Sequence, residues 1–137
     1  MFHRTYFPAV LLLLLLGGLC ACSAQKRLQR RLVGVWSVTR YEILYPSGQR
    51  EETFNVGTVV FNRNGSGDND MPILTRNVRT PEARRFSWKN TDQSVAIVSE
   101  NTFLAKAWIV VENRRARQVW RSTTNELVQT MELQRVR

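Results

Sequence analysis

From Gly34 onward, short runs of β-branched and aromatic residues alternate with turn signals at a spacing of roughly 8–12 residues. The Pro-Ser-Gly sequence at 46–48 and the Asn-Gly pair at 64–65 both favour tight reversals of the chain. No helical periodicity of comparable length follows. The spacing therefore predicts an all-β fold, an antiparallel sandwich or barrel of about eight strands.

Alternate side chains of a strand point to the same face, so apolar residues two apart predict the inward face. The pairs predicted to point inward are Val59 with Phe61, Phe86 with Trp88, Val95 with Ile97, and Met131 with Leu133. The first strand, residues 35–45, is mixed on both faces, so parity does not assign its interior side. Residues 108–112, "WIVVE", are apolar on both faces and predict a central strand.

The N-terminal segment combines a basic start with an apolar run at residues 10–19. A run of this length is typical of a secretory signal, because a membrane span needs roughly 20 apolar residues. Residues 19–22, "LCAC", resemble a bacterial lipobox, in which the cysteine after a small residue receives the lipid. We therefore predict a lipoprotein signal peptide over residues 1–21 and lipidation, including palmitate, at Cys22. Cleavage before Ser23 and an uncleaved anchor are the alternatives.

The segment after the predicted lipidation site is polar and basic, and it predicts a tether over residues 22–31 that ends in a short helical turn. The remaining domain covers residues 32–137. Several acyl chains hold a protein firmly on a membrane. Ser23, rather than Asp, after the cysteine resembles outer-membrane lipoproteins of enteric bacteria. We therefore predict a cell-envelope protein on the outer membrane, at its periplasmic face or surface. The basic residues expected close to the lipid surface are Lys26, Arg27, Arg30 and Arg31.

Composition excludes several kinds of chemistry. The only histidine is His3, and the only cysteines, Cys20 and Cys22, lie in or beside the signal. The domain therefore lacks the residues for histidine-based acid–base catalysis, a Ser-His-Asp or Cys-His nucleophile, and an ordinary zinc site. Residues 65–70, "GSGDND", lack the spacing of a calcium loop. We predict no catalytic residue, no metal and no cofactor. The net charge of +9 fits lipid phosphates nearby or simple solubility, and no nucleic-acid partner is predicted.

Residues 34–36, "GVW", resemble the lipocalin G-x-W motif at the entry to the first strand. The order of a lipobox, a tether, "LVGVW", "VVFNRNGSG", "FSW" and a final "MELQRV" is similar to small lipocalin-like lipoproteins of Bacteroidetes. The resemblance implies an antiparallel up-and-down lipocalin-like β-barrel. It also implies a structural plug of Gly34, Trp36 and Arg135, with a cation–π contact of about 0.5–2 kcal/mol. The second lipocalin signature is absent, since Gln93 stands where it has a tyrosine.

Two function classes fit such a barrel. In the first, the barrel binds a small apolar or amphipathic ligand without catalysis. The candidate ligand-binding residues are Phe61, Phe86, Trp88 and Trp108 as walls, with Arg40 as a polar contact. A cavity of a few hundred Å³ would favour this class.

In the second class, a barrel filled by its own side chains binds an envelope protein, as an inhibitor or as an accessory or structural subunit. Basic loops would supply the contacts, because arginine forms forked pairs with carboxylates and phosphates. In either class we expect a monomer. The loop arginines are Arg76, Arg79, Arg84, Arg85, Arg114, Arg115 and Arg117.

Overall fold

The computed structural model describes residues 23–72, 84–100 and 103–136. Within these ranges the chain contains helix α1 at residues 23–32 and, after it, eight strands. The strands are β1 (Gly34–Leu44), β2 (Arg50–Phe61), β3 (Ser66–Asp70), β4 (Arg85–Asn90), β5 (Ser94–Ser99), β6 (Ala107–Asn113), β7 (Arg117–Thr123) and β8 (Val128–Arg135).

The strands form a closed antiparallel barrel, in which each strand pairs with the next and β8 pairs with β1. The register around Trp36 shows the closure, because this residue lies opposite Val59 of β2 and opposite Arg135 of β8. Closure leaves no unpaired sheet edge. The predicted all-β, up-and-down antiparallel barrel of eight strands is confirmed.

All four residue pairs predicted to point inward are buried. The mixed polar and apolar pattern on both faces of β1 is explained by a register shift between Val38 and Arg40. A bulge adds one residue to one strand of a pair and so reverses the face of every later residue. Trp36 and Val38 are buried before the bulge, and Tyr41 is buried after it. Strict alternation therefore could not assign the interior side of this strand.

Strand β6 departs from the expectation of a central strand. Its Trp108 is fully buried, whereas Ile109 is 55% exposed and Val111 is 53% exposed. Every strand of a closed barrel has one outer face, so the outward residues of β6 cannot be covered by a second layer within the barrel. The apolar outer face of this strand thus remains at the surface.

The segment predicted as a tether is the helix α1, which packs across one end of the barrel. Leu28 and Leu32 lie four residues apart, on the same face of the helix, and both belong to the hydrophobic core. Two hydrogen bonds fasten the start of the helix to the β4–β5 turn: Gln25 Nε2 donates to the Asn90 carbonyl (2.8 Å), and Asn90 Nδ2 donates to the Gln25 carbonyl (3.0 Å). The hydrophobic core therefore includes Leu28, which lies within the predicted tether.

The buried core cluster draws on residues from Leu28 to Leu133, and barrel closure is completed by β1 and β8. A chain that starts at Ser23 therefore contains all of the described core residues and all eight strands. In the part of the chain that the structure describes, no helix is long and apolar enough to cross a membrane.

Candidate functional site

The end of the barrel beneath α1 is closed by a tryptophan and an arginine. The Trp36 ring is fully buried, and its Nε1 donates to the Leu32 carbonyl at 2.8 Å. The guanidinium of Arg135 lies over this ring, 4.7 Å from its centroid. Arg135 also donates to the carbonyl oxygens of Val33 (3.2 Å) and Arg31. Because the last carbonyls of a helix lack helical partners, Arg135 both caps α1 and covers Trp36.

Gly34 completes this closed end. Its φ is +138°, and a β-carbon at this position would lie 2.6 Å from Nη1 of Arg135. A side chain here would therefore displace the guanidinium from the Trp36 ring. The structure thus brings together Gly34, Trp36 and Arg135, the three residues predicted as the structural plug. This group is called the plug below, and the end of the barrel that it closes is the plugged end.

Aromatic rings fill the middle of the barrel. Phe61 makes edge-to-face contacts with Phe86, Trp88 and Trp120, at ring-centroid distances of 5.3, 5.4 and 5.6 Å. Trp120 in turn lies 6.4 Å from Trp108. All five residues are buried. The four predicted wall residues therefore do point into the barrel, but their rings occupy its interior as packed core.

The indole N–H groups of these tryptophans are satisfied within the protein. Trp88 Nε1 donates to the Ser66 carbonyl (2.9 Å), and Trp108 Nε1 donates to the Leu104 carbonyl (3.0 Å). Trp120 Nε1 donates to Gln118 Oε1 at 3.1 Å. None of the three indoles therefore has an N–H group left for a ligand in this arrangement.

The opposite end of the barrel, called the mouth below, has polar side chains inside it. Ser122 and Gln129 are buried and lie opposite each other in the β7–β8 pair, next to the turn that joins these strands. Lys106 lies two residues before Trp108 and so shares its inward face. Its Nζ donates to Gln129 Oε1 and lies 5.3 Å from the centroid of the Trp108 ring. A charged amine is therefore held inside the rim.

Tyr41 lies between the aromatic middle and the mouth. Its side chain is 2% exposed, and its ring makes edge contacts with Phe103 (6.1 Å) and Trp108 (6.5 Å). Among the described residues its buried hydroxyl has no hydrogen-bond partner. Burial raises the pKa of Tyr41, so the group stays a neutral O–H. A buried hydroxyl without a hydrogen-bond partner lowers the stability of the fold by about 1–3 kcal/mol. The Tyr41 hydroxyl is therefore a strong candidate to form a hydrogen bond with a bound ligand.

The position of Lys106 predicts a pH effect on stability. Burial lowers the pKa of Lys106 in the folded protein, whereas the unfolded side chain titrates near its ordinary value of about 10.4. The unfolded state therefore binds more protons just below that pH, and stability should rise with pH there. Urea unfolding between about pH 8 and pH 9.5 should show a rise in wild type that Lys106→Met reduces.

Lys89→Met is the matched control, because Lys89 is exposed on β4, and it should leave the rise unchanged. The raised pKa of Tyr41 makes the stability of the fold decrease with pH above about pH 10, which opposes the effect of Lys106. The comparison therefore stays below that pH. An equal rise in wild type and Lys106→Met would show that burial of this amine does not couple to folding.

Arg40 does not lie in the barrel interior. The bulge in β1 turns it to the outer wall, where its guanidinium donates to Glu132 (2.9 Å), Glu52 (2.7 Å) and Glu42. These contacts raise the pKa of Arg40, and the hydrogen bond from Arg40 lowers the pKa of Glu52. The prediction of Arg40 as a polar ligand contact inside the barrel is therefore corrected.

Several of the predicted loop arginines are held in ion pairs. Arg114 and Arg117 both bind Glu112, at 3.1 and 2.5 Å, and Arg84 lies 3.7 Å from Asp70. Arg85 and Arg115 are exposed. The described residues contain no group of three acidic, histidine or cysteine side chains placed to hold a metal ion. The predicted residues outside the described ranges are Cys22, Arg76 and Arg79.

No protein-family model and no curated protein matches this chain. Among solved structures, a redesigned β barrel aligns with a TM-score of 0.46 and 16% sequence identity. The alignment covers 81% of this chain and 96% of that chain. The barrel architecture given above rests on the strand pairing of this chain itself.

Proposed function

We propose that this protein is a membrane-anchored β-barrel that binds a small amphipathic ligand at its mouth without catalysing a reaction. The observation that carries this proposal is the unpartnered hydroxyl of Tyr41, buried between the aromatic middle and the polar mouth. Buried polar groups in proteins are nearly always paired. A ligand that accepts a hydrogen bond from Tyr41 would satisfy this one.

The surroundings define the chemistry of the ligand. Lys106 supplies a cation and Gln129 an amide beside it, while the partly buried Phe103 supplies apolar surface next to Tyr41. A carboxylate or phosphate head would form charge-assisted hydrogen bonds with the amine. Fully buried rings occupy the middle of the barrel, so the ligand would lie at the mouth rather than in a deep cup.

The anchor is supported by the lipobox-like sequence at residues 19–22 and by the place where the helix begins. The predicted lipidated residue, Cys22, comes directly before α1, which covers the plugged end. An anchor at that position leaves the mouth accessible from the aqueous side. We therefore propose the envelope lipoprotein, with its lipocalin-like binding role, as the function most consistent with the barrel.

Ligand binding can be tested with dodecanoate and dodecanol, which share one tail and differ in the charge of the head. The chain from Ser23 should bind dodecanoate, with quenching of tryptophan fluorescence as the readout. Lys106→Met should weaken dodecanoate binding by about tenfold or more, because one charge-assisted hydrogen bond is lost. The affinity for dodecanol should change little.

Two further variants sharpen the result. Tyr41→Phe removes only the unpartnered hydroxyl and should weaken binding of both probes, while leaving the folded barrel as stable or more stable. Arg121→Gln removes a charge from the outer wall of β7 and serves as the control. No binding of either probe, or equal losses in Lys106→Met and Arg121→Gln, would contradict a ligand site at the mouth.

A second candidate function is a protein-interaction module. It is favoured by the filled interior and by apolar residues on the outer face of the barrel, where Ile109 and Val111 of β6 are 55% and 53% exposed and Val98 of β5 is 72% exposed. Exposed apolar surface of this kind can mark a protein interface. Failure of both probes to bind a folded barrel would favour this role.

A further inference from the structure

Basic side chains line two clefts at the plugged end of the barrel, on either side of α1. The volumes of the two clefts are about 580 and 630 Å³. The first, called the arginine cleft below, is lined by Arg27, Arg30, Arg31, Arg115 and Arg135. The second is lined by Lys26, Gln29, Arg30, Val33 and Arg63. Three parts of the fold, α1, the β6–β7 turn and the end of β8, thus place arginines around one space.

The charge of the arginine cleft is not neutralised by the protein. Residues 23–32 contain no acidic side chain. Among the described residues, none of the five cleft arginines forms an ion pair with a carboxylate. By contrast, Arg40 of β1, Arg117 of β7 and Arg114 of the β6–β7 turn each bind at least one glutamate. The unpaired positive charge of the described barrel is therefore concentrated at the plugged end.

The cleft is also partly pre-organised. Arg31 Nη1 donates to the Asn113 carbonyl at 2.7 Å, and Arg135 Nε donates to the Arg115 carbonyl at 3.2 Å. These bonds hold two guanidinium groups and join the helix to the β6–β7 turn. Groups that are fixed before binding lose less conformational entropy when an anion arrives. The plug thus shapes one wall of the cleft.

We propose that the arginine cleft binds the phosphate groups of anionic lipid headgroups, so that the barrel stands on its membrane by the plugged end and its mouth points away. The forked guanidinium group matches the geometry of phosphate oxygens. Several arginines around one space favour a polyanionic surface over an isolated carboxylate. This inference rests on the anchor in the proposed function and adds an orientation to it.

The predicted lipid anchor favours a membrane surface as the binding partner of the arginine cleft. Cys22 directly precedes Ser23 in the sequence, and at a rise of 1.5 Å per residue Arg31 lies about 12 Å from Ser23 along α1. The headgroup region extends about 5–7 Å on each side of the hydrocarbon, and electrostatic attraction reaches roughly a further 8 Å at physiological salt. The arginine cleft therefore falls within reach of the lipid phosphates next to the anchor.

Vesicle sedimentation of the chain from Ser23 tests this proposal without the lipid anchor. The protein should bind phosphatidylcholine vesicles that contain phosphatidylglycerol, and binding should weaken as salt rises. Vesicles of phosphatidylcholine alone should not retain it. The triple variant Arg27→Gln, Arg30→Gln, Arg115→Gln should lower the partition coefficient by about tenfold or more. It leaves Arg135, and hence the plug, in place.

The matched control removes the same charge from the outer wall of the barrel, through Arg85→Gln, Lys89→Gln and Arg121→Gln. It should keep most of the vesicle binding. Equal losses in the two triple variants would overturn the proposal, since net charge alone would then explain binding. Thermal unfolding of both variants verifies that the barrel is intact.

Calorimetry with glycerol phosphate and inorganic phosphate separates a lipid from a free phosphate ester. Tight binding of either compound without vesicle binding would overturn the lipid assignment. Weak or no binding of both, with binding to anionic vesicles, is the expected result. Failure of the anchor is distinguishable, because lipidation of Cys22 is read from the mass of the full-length protein and does not enter this assay.

Discussion

Replacing Trp36 with alanine should lower the free energy of unfolding by about 3–5 kcal/mol, the usual cost of removing a buried tryptophan side chain. The ring is fully buried, its Nε1 donates to the Leu32 carbonyl, and Arg135 lies 4.7 Å above it. The variant loses the buried ring, this hydrogen bond and the cation–π contact. Because the hydrogen bond joins β1 to α1, and Arg135, which caps the helix, loses the ring beneath it, the helix should detach first. Urea unfolding measures the loss of stability, and hydrogen exchange of the α1 amides locates it.

Trp36→Phe is the matched variant for this prediction. It keeps an aromatic ring beneath Arg135 and loses the hydrogen bond to Leu32, so it should cost less than the alanine change. Arg135→Gln should expose α1 to exchange as well, since the carbonyls of Arg31 and Val33 lose their donor. A loss below about 1 kcal/mol for Trp36→Ala would contradict the plug as the element that closes this end.

Gly57→Ala should be the other strongly destabilising change, by about 2–6 kcal/mol, because it combines backbone strain with overpacking. Gly57 has a φ of +146°, and an added β-carbon would overlap the Asp70 carbonyl oxygen and lie 2.9 Å from Cα of Met71. Both are backbone atoms at the end of β3. A rotamer change cannot relieve the clash, so β2 and β3 would have to separate.

Gly48→Ala provides the control for backbone strain alone. Gly48 has a φ of +85°, and a β-carbon there would meet nothing within 4 Å. The expected cost is about 1–2 kcal/mol, that of a left-handed conformation for a residue with a side chain. Thermal unfolding followed by circular dichroism compares the two. Equal losses would show that the close approach of β2 and β3 at Gly57 is not a packing constraint.

Much of the barrel follows from short-range sequence patterns. The Asn-Gly turn at 64–65 and the alternation of Val59 with Phe61 indicate a hairpin and its inward face without reference to the rest of the chain. Strand β2 begins at Arg50, far earlier than its apolar part indicates. The polar residues at its start are recruited by pairing with the end of β1 across the hairpin turn, and the apolar pattern of β2 alone does not indicate this pairing.

The residues of the candidate site likewise differ in whether a short-range sequence pattern indicates them. The plug could be predicted from the lipocalin resemblance, because Gly34 and Trp36 both belong to the G-x-W motif and Arg135 lies near the end of the last strand. Trp120 is not among the residues predicted to point inward. It shares one face of β7 with Gln118 and Ser122, so strand parity could have placed it inside the barrel.

The polar mouth could not be assigned in advance. The bulge in β1 reverses the faces of Arg40 and Tyr41, and a bulge has no local signal in this strand. Lys106 directly precedes β6, and only closure of the barrel brings its amine to Gln129 of β8.

The most direct measurement is the native and denatured mass of the full-length protein, purified from the membranes of the cells that express it. The denatured mass should correspond to a chain that begins at Cys22 and carries acyl chains. The native mass should exceed it by one small molecule, and Tyr41→Phe with Lys106→Met should abolish the excess. Equal native and denatured masses, with no ligand recovered from the wild-type barrel, would contradict a ligand-binding function.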